Sequence, residues 1–509
     1  MILKYIWTVI LIYVLFCSNL CNSAKILGIF GHTGKSHHLV FQPVLKELAK
    51  RGHQLTVFSY FEHDTTTTNY TGILFPEKFN TTSFLSMDYF DKSSIPFSGI
   101  IQLYSLTEVY ENSVSFDKLQ SLVNEKYDLV ITEMFNSDVF FGLFYKIGAP
   151  IVGFSSCDIF PWQNDAFGNN NNPSYNPHVL HGLSVHMDLK ERLLNTFHLL
   201  VNNFVYYYKF LPEAQNLAEK YFGKIPHVND IVKNTSILLV NTHFSIFGAK
   251  PVVPSIVEVA GVHISPVKPL SKNLEETIGK FDETIYFSMG SVLDSGSMSK
   301  EKHKIFVNVF SKLKQLVLWK SSQIIPNKPN NIFLSDWYSQ RDVLAHPKTV
   351  LFISHCGLLG TLEAIQAGVP ILCFPMFGDQ HHNAKAIATK EISLTLNYAE
   401  VTEESLSKAI NTLLYDSKYR ENAKSVSNAF NDRPLSPMDT AIYWIEYVIR
   451  HKGGPHIRSS IYHLTWYQYY NLDVIIIYLA ILYLLYKFSK FIFVKLFKLT
   501  LSSKKIKTN

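Results

Sequence analysis

The sequence predicts an α/β protein with two doubly wound domains, on three observations. The chain has 509 residues, more than a single hydrophobic core usually serves. Two separate runs alternate short apolar strands with helical stretches, the pattern of parallel sheets with crossover helices. Between them lies KPVVPSIVEVAGVHISPVKPL, punctuated by proline and poor in helical features, which reads as the interdomain connection.

In the first run, expected over residues 25–250, the strand candidates are KILGIF, QLTVFS, DLVITE, APIVGFSS and SILLVNT. The Asn- and Pro-rich FGNNNNPSYNP reads as a loop. The second run, expected over 251–440, has TIYFSMGS, QLVLWK, NIFLSDW, TVLFISH and PILCFPM as strands, with EKHKIFVNVFSKL and LLGTLEAIQAG as helices. A returning helix, AIYWIEYVIRHKG, and the aromatic HLTWYQYYNLDV occupy 441–473, the latter suited to a headgroup zone. Two such domains face each other across a cleft at the carboxyl ends of their strands.

The chain ends carry targeting signals. Residues 1–24 have Lys4, the apolar IWTVILIYVLF and small or polar residues up to Ser23 or Ala24, as in a secretory signal peptide. The apolar VIIIYLAILYLLYKFSKFIFV, 474–494, is a candidate membrane span, with Lys487 and Lys490 placed to snorkel. After Asp473 there are seven lysines and no acid, so removing that +7 from the formal +6 leaves −1 for residues 1–473. The basic balance therefore belongs to the tail, 495–509, and gives no reason to expect a nucleic-acid partner. Lysines on one side of a span place that side in the cytosol, hence a type I protein with its bulk lumenal. The final KIKTN matches a KxKxx retrieval signal and suggests the endoplasmic reticulum. Sequons at Asn69, Asn80 and Asn234 would face the lumen. Once Cys17 and Cys21 leave with the leader, Cys157, Cys356 and Cys373 imply no disulfide framework.

GIFGHTGKSHH, residues 28–38, looks like a phosphate cradle but is not one. A P-loop needs four residues between its glycines, whereas Gly28 and Gly34 enclose five and Gly31 and Gly34 two. The turn also lacks GxGxxG, which excludes a dinucleotide oxidoreductase. A better phosphate site lies in TVLFISHCGLLGTLEAIQAGVPILCFPMFGDQHHN, 349–383. There a strand ends at Ser354, turns through His355, Cys356 and Gly357, and enters a helix. A helix N-terminus offers free amides and a positive dipole end to a diphosphate, and Glu363 can accept from a ribose diol.

The longer run WYSQRDVLAHPKTVLFISHCGLLGTLEAIQAGVPILCFPMFGDQHHNA resembles the signature of the membrane-bound UDP-glycosyltransferases, the UDP-glucosyl/UDP-glucuronosyltransferase family. FSMGS, VLWK, YWIEYVIRHKG and LTWYQY…LDV extend the resemblance over the whole chain, and WQNDAFGNNNNPSYNP is most similar to invertebrate members. The resemblance implies the GT-B fold, two Rossmann-like domains about a cleft. It makes Trp337 the platform for uracil and Gln340 its neighbour. It gives the diphosphate to His355 and the amides from Gly357 through Gly360, with Ser288 or Ser291 beside them. It gives ribose to Glu363, and donor-sugar hydroxyls to Asp379 and Gln380. The one departure is Leu359, where many relatives have a side-chain phosphate donor.

The same resemblance makes His37 the catalytic base, with adjacent His38 as its rival, and places Glu133 or Asp138 as the carboxylate that orients it. The implied reaction is a single inverting displacement from a UDP-sugar, a co-substrate, onto a small lipophilic alcohol or phenol. Glucose is favoured over glucuronate as the sugar. No cofactor or metal is expected: the helix N-terminus and His355 would neutralise the leaving diphosphate, and the paired histidines 37/38 and 381/382 point apart. The membrane is the other expected partner. Oligomeric state stays open, a homo-oligomer included.

Overall fold

A computed structural model describes residues 23–63, 66–75, 85–87, 116–291, 293–322, 325–326 and 328–506. Most of the expected leader, and Asn80, lie outside the described residues.

The first sheet is built from β1 (Lys25–Ile29), β2 (Gln54–Ser59), β3 (Tyr70–Leu74), β4 (Leu129–Glu133), β5 (Ile151–Ser155), β6 (Ile237–Val240) and β7 (Ile256–Glu258). They lie in the order β3-β2-β1-β4-β5-β6-β7, and every pairing is parallel. The second sheet comprises β8 (Thr284–Ser288), β9 (Leu316–Lys320), β10 (Ile332–Ser335), β11 (Thr349–Ser354), β12 (Ile371–Cys373) and β13 (Ser393–Thr395). Its order is β10-β9-β8-β11-β12-β13, again all parallel. The central strands are continuous apolar runs because helices cover both faces; β4, β5, β6, β8 and β11 are buried from end to end.

Each sheet reverses its winding once, between β1 and β4 in the first and between β8 and β11 in the second. In open α/β sheets the crevice at that reversal, past the carboxyl ends of the strands, is where ligands bind. The two points thus single out the loops after Ile29 and Glu133, and those after Ser288 and Ser354, before any chemistry is considered.

Five helices matter below: α1 (Lys35–Lys50), α2 (Leu358–Ala367), α3 (Gln380–Ala388), α4 (Pro437–Arg450) and α5 (Leu472–Ile506). The apolar stripe of α1, including Val40, Val44 and Leu48, shares one buried cluster with Ala441, Ile442, Ile445 and Val448 of α4. Arg51 adds an ion pair to Asp439 at 3.1 Å. The expected returning helix therefore closes on the first domain.

Three features correct the sequence reading. Ile256–Glu258, expected in the connector after residue 250, forms the edge of the first sheet because Ile256 and Val257 bury against β6. The candidate span, expected over 474–494, belongs to one helix from Leu472 to Ile506, of which Leu472–Thr500 is apolar enough to cross a membrane. Lysine is a good helix former, so the basic tail does not end it. That helix lies in a unit of its own, Ser459–Asn509. Finally, Cys356 and Cys373 are disulfide-bonded, with Cα atoms 5.4 Å apart. Ser354 of β11 sits beside Cys373 of β12, so Cys356, two residues on in the turn, comes within bonding reach.

Candidate active site

At the first reversal point, His37 stands in the opening turn of α1 and Glu133 ends β4. His37 Nδ1 lies 2.6 Å from Glu133 Oε1. The same oxygen accepts from the Ser156 hydroxyl, and Ser137 bonds the Glu133 carbonyl. Glu133 is almost wholly buried, His37 only four-fifths so. This arrangement leaves the second imidazole nitrogen, Nε2, as the acceptor. Burial opposes protonation of His37, but the charge and hydrogen bond of Glu133, with the charge of Asp379, outweigh it and raise its pKa above the ordinary histidine value. Burial likewise opposes ionisation of Glu133, and His37 overcomes it, holding the carboxyl below its usual range.

Two rivals fall away. His38 turns inward among Phe41, Phe61 and His63, and burial lowers its pKa to about 4. Asp138 does not reach His37: its Oδ1 accepts from the Tyr206 hydroxyl at 2.7 Å, and burial raises its pKa to about 6. It starts a short 3-10 turn after the loop that follows β4, so its side chain points into the domain core.

A third histidine completes the loop. His32 stacks on His37 with ring centroids 3.7 Å apart and planes within 19°. The Gly34 amide donates to His32 Nδ1 at 2.9 Å, and Phe135 meets both rings edge-on. Burial, with the charge of His37, lowers the pKa of His32 to about 3, so it is neutral. Ligand atoms of His32, His37 and Glu133 lie within 4.8 Å of one another, a spacing a metal ion can use. Stacked rings point their lone pairs side by side instead of at one centre, and His37 Nδ1 is already committed to Glu133, so the geometry suits a held base better than a chelate.

The second reversal point gathers the residues expected to hold the donor. Gly357 is the N-cap of α2 and no side chain caps it, leaving the first amides of the helix free. His355 is folded into a slot between two glycines: a Cβ at Gly290 or at Gly357 would come within 2.5 Å of its ring. Those glycines are required by the imidazole itself. Burial, then the charge of Lys320, lowers the His355 pKa to about 4. His355 can donate to a phosphate but brings no charge. The positive charge beside it is Lys320, at the end of β9, whose Nζ donates to the Gly290 carbonyl at 2.7 Å. Its only sequence signal was its place at the carboxyl end of VLWK. Ser288 accepts from the Gly290 amide, and Ser291 follows in the same turn.

Trp337 is 61% exposed, which excludes a core role. The Lys320 and Lys35 ammonium groups lie 4.5 and 5.5 Å from its ring centroid, so residues of both domains meet there. Gln340 Nε2 donates to Glu363 Oε2 at 2.7 Å, with Gly360 packed beneath the carboxamide. Burial raises the Glu363 pKa against that bond. Asp379 stands at the start of α3 without capping its amides, and its carboxylate accepts from the Asn383 side chain at 2.9 Å. It is close enough to His37 for each to shift the other's proton affinity. Gln380 differs from expectation. Its Oε1 is taken by the Met376 and Phe377 amides at 2.8 and 3.2 Å, so it fastens the turn under Asp379, leaving only Nε2 for a sugar. The Leu359 side chain packs against the first-domain core, and its carbonyl accepts from His263.

The chain is 38% identical over 464 residues to UDP-glycosyltransferase UGT5 of Dactylopius coccus, covering 89% of this chain and 88% of that protein. It is 33% identical to UDP-glucosyltransferase 2 of the same species, with 89% of each covered. It is also 33% identical to human UDP-glucuronosyltransferase 1A3, over 88% of this chain and 86% of that one. Among solved structures, the glycotransferase of kitacinnamycin superposes with a TM-score of 0.56 at 16% identity, over 84% of this chain and 98% of that one. The fold is that of the GT-B glycosyltransferases. The family model described as UDP-glucoronosyl and UDP-glucosyl transferase matches residues 24–506, and the chain belongs to that family of UDP-glycosyltransferases.

Proposed function

We propose that the protein moves a hexosyl group, glucose in preference to glucuronate, from a UDP-sugar to the hydroxyl of a small lipophilic alcohol or phenol, with His37 as general base. The observation that carries this reading is His37 held by Glu133 at 2.6 Å at the first reversal point, within electrostatic reach of Asp379 of the opposite domain. The acceptor oxygen attacks the anomeric carbon from the His37 side while its proton passes to Nε2. The bond from that carbon to the diphosphate oxygen breaks, its electron pair leaving with UDP, and the linkage inverts. Glu133 balances the imidazolium. The α2 amides and Lys320 face the charge that develops on the leaving group, so no metal is required. Trp337 takes uracil, Glu363 the ribose and Asp379 the sugar hydroxyls. Glucose is favoured by the insect relative named as a glucosyltransferase.

The chain is further proposed to sit in the endoplasmic reticulum membrane by Leu472–Thr500. Its catalytic domains would be lumenal, the tail cytosolic, and Asn69 and Asn234, both exposed, glycosylated. The test replaces His37 with Ala in the full chain. UDP affinity should stay within twofold while glycoside formation falls about 10²–10⁴-fold, the range typical of general base removal. Unchanged turnover overturns the base. Labelled UDP-glucose against UDP-glucuronate, over a panel of phenols, separates the donors.

A further inference from the structure

The proposed reaction gives His32 no task, yet its ring is held as firmly as the base. It lies in the loop after β1, in the crevice where open α/β sheets bind ligands. His37 covers one face at 3.7 Å, and Phe135 meets the ring edge-on at 5.0 Å. The Gly34 amide donates to Nδ1 at 2.9 Å. That approach needs glycine, since a Cβ at position 34 would come within 2.9 Å of Nδ1 and 2.8 Å of Cε1. A solvent-facing loop histidine requires none of these constraints.

The Gly34 bond also fixes the tautomer. A ring nitrogen that accepts an N–H carries no proton, so in the neutral imidazole the proton sits on Nε2. Burial, with the charge of His37, keeps the ring neutral. Among the described residues nothing accepts the Nε2 proton, and the atom is not sealed off, unlike both nitrogens of His38. His32 therefore brings an unspent donor beside His37, whose Nδ1 is spent on Glu133 and whose Nε2 is an unspent hydrogen-bond acceptor. Two stacked rings thus offer opposite hydrogen-bonding roles one ring spacing apart.

We infer that His32 Nε2–H donates to a second oxygen of the sugar acceptor, on the carbon next to the one bearing the attacked hydroxyl. The 3.7 Å stack suits oxygens on neighbouring carbons, whereas oxygens across an aromatic ring cannot meet both edges. His32 thereby selects ortho-oxygenated phenols and vicinal diols, because a compound without the second oxygen leaves a desolvated donor unpaired. The inference rests on the proposed function and names its acceptor class.

Competition between 2-methoxyphenol and 4-methoxyphenol tests it, in membranes bearing the full chain and supplied with UDP-glucose and UDP-glucuronate. The isomers share nucleophile and substituent and differ in where the second oxygen lies. The native chain should favour the 2-isomer about 2–10-fold in kcat/KM, the worth of one hydrogen bond. His32→Phe keeps a ring against His37 and removes the donor. In it the ratio should fall to about one, with the loss on the 2-isomer appearing in KM. His32→Gln, which restores an N–H donor, should return part of the preference. A ratio that survives in His32→Phe, with or without a general loss of turnover, overturns the inference, and so does a native chain indifferent to the isomers. Failure of the underlying function is read elsewhere, in a His37→Ala protein that keeps its turnover.

Discussion

Taking the charge from Glu133 while keeping its shape changes His37 in two ways. A base works in its neutral form, so with His37 in the proposed role kcat/KM rises with pH as it loses its proton. Because Glu133 and Asp379 hold that pKa above the ordinary value, the rising limb of the native profile should lie above about pH 6.5. In Glu133→Gln the opposing burial is left dominant, and the limb should move to the acid side. The plateau should fall about 10²–10⁴-fold, because the imidazolium formed in the transition state has lost its counter-charge. A limb that stays in place would show that the pair is not coupled. At this scale the motif made His37 and Glu133 legible, and inspection of residue types could go no further. That Gln380 is spent on two backbone amides, or that His32 stacks on His37, depends on side-chain direction, which spacing does not encode.

Among the elements, the turn from β11 into α2 stores the clearest tension. Cys356 sits at φ +59°, a left-handed backbone that costs a residue with a Cβ roughly 1–2 kcal/mol. Its bond to Cys373 and the hydrogen bond from Asn383 to its carbonyl at 3.2 Å hold it there, aiming the free amides of α2. Replacing both cysteines with alanine should therefore raise KM for the UDP-sugar about 5–30-fold, that cost expressed as a ratio, with kcat changed far less. Cys356→Gly with Cys373→Ala should recover much of the loss, since glycine adopts the turn freely. Equal KM in all three proteins would exclude this role. The alternating pattern of strands and helices made both sheets readable, and with them the cleft. The disulfide was not, because two cysteines seventeen residues apart are neighbours only once β11 and β12 are known to pair. Ile256–Glu258 was hidden for a similar reason: three residues between prolines carry no periodic signal.

Across the whole molecule, the two domains are joined by more than their connecting segments. Asp158, just after β5, is buried between Lys250 at 2.9 Å and His382 of α3 at 3.1 Å. Burial opposes its ionisation, yet Lys250 and His382 hold the carboxyl well below the usual carboxylate range. The contact spans 224 residues of sequence, and no local pattern announces it. Removing one partner of a buried ion pair leaves the other uncompensated, at a cost of about 3–5 kcal/mol. Asp158→Ala should thus melt markedly earlier at neutral pH. The sign with pH follows from the depressed pKa: the stabilisation is complete above the unfolded carboxylate value, about 3.9, and fades as pH falls below it. The difference in melting temperature between native and Asp158→Ala protein, measured by calorimetry, should therefore be constant from pH 8 to 5 and shrink under further acidification. Because His382 and Asp379 belong to the same turn into α3, the variant should also bind the sugar donor more weakly. A melting difference that persists undiminished into acid would mean that Asp158 acts by packing alone, and that charge plays no part in holding the two domains in register.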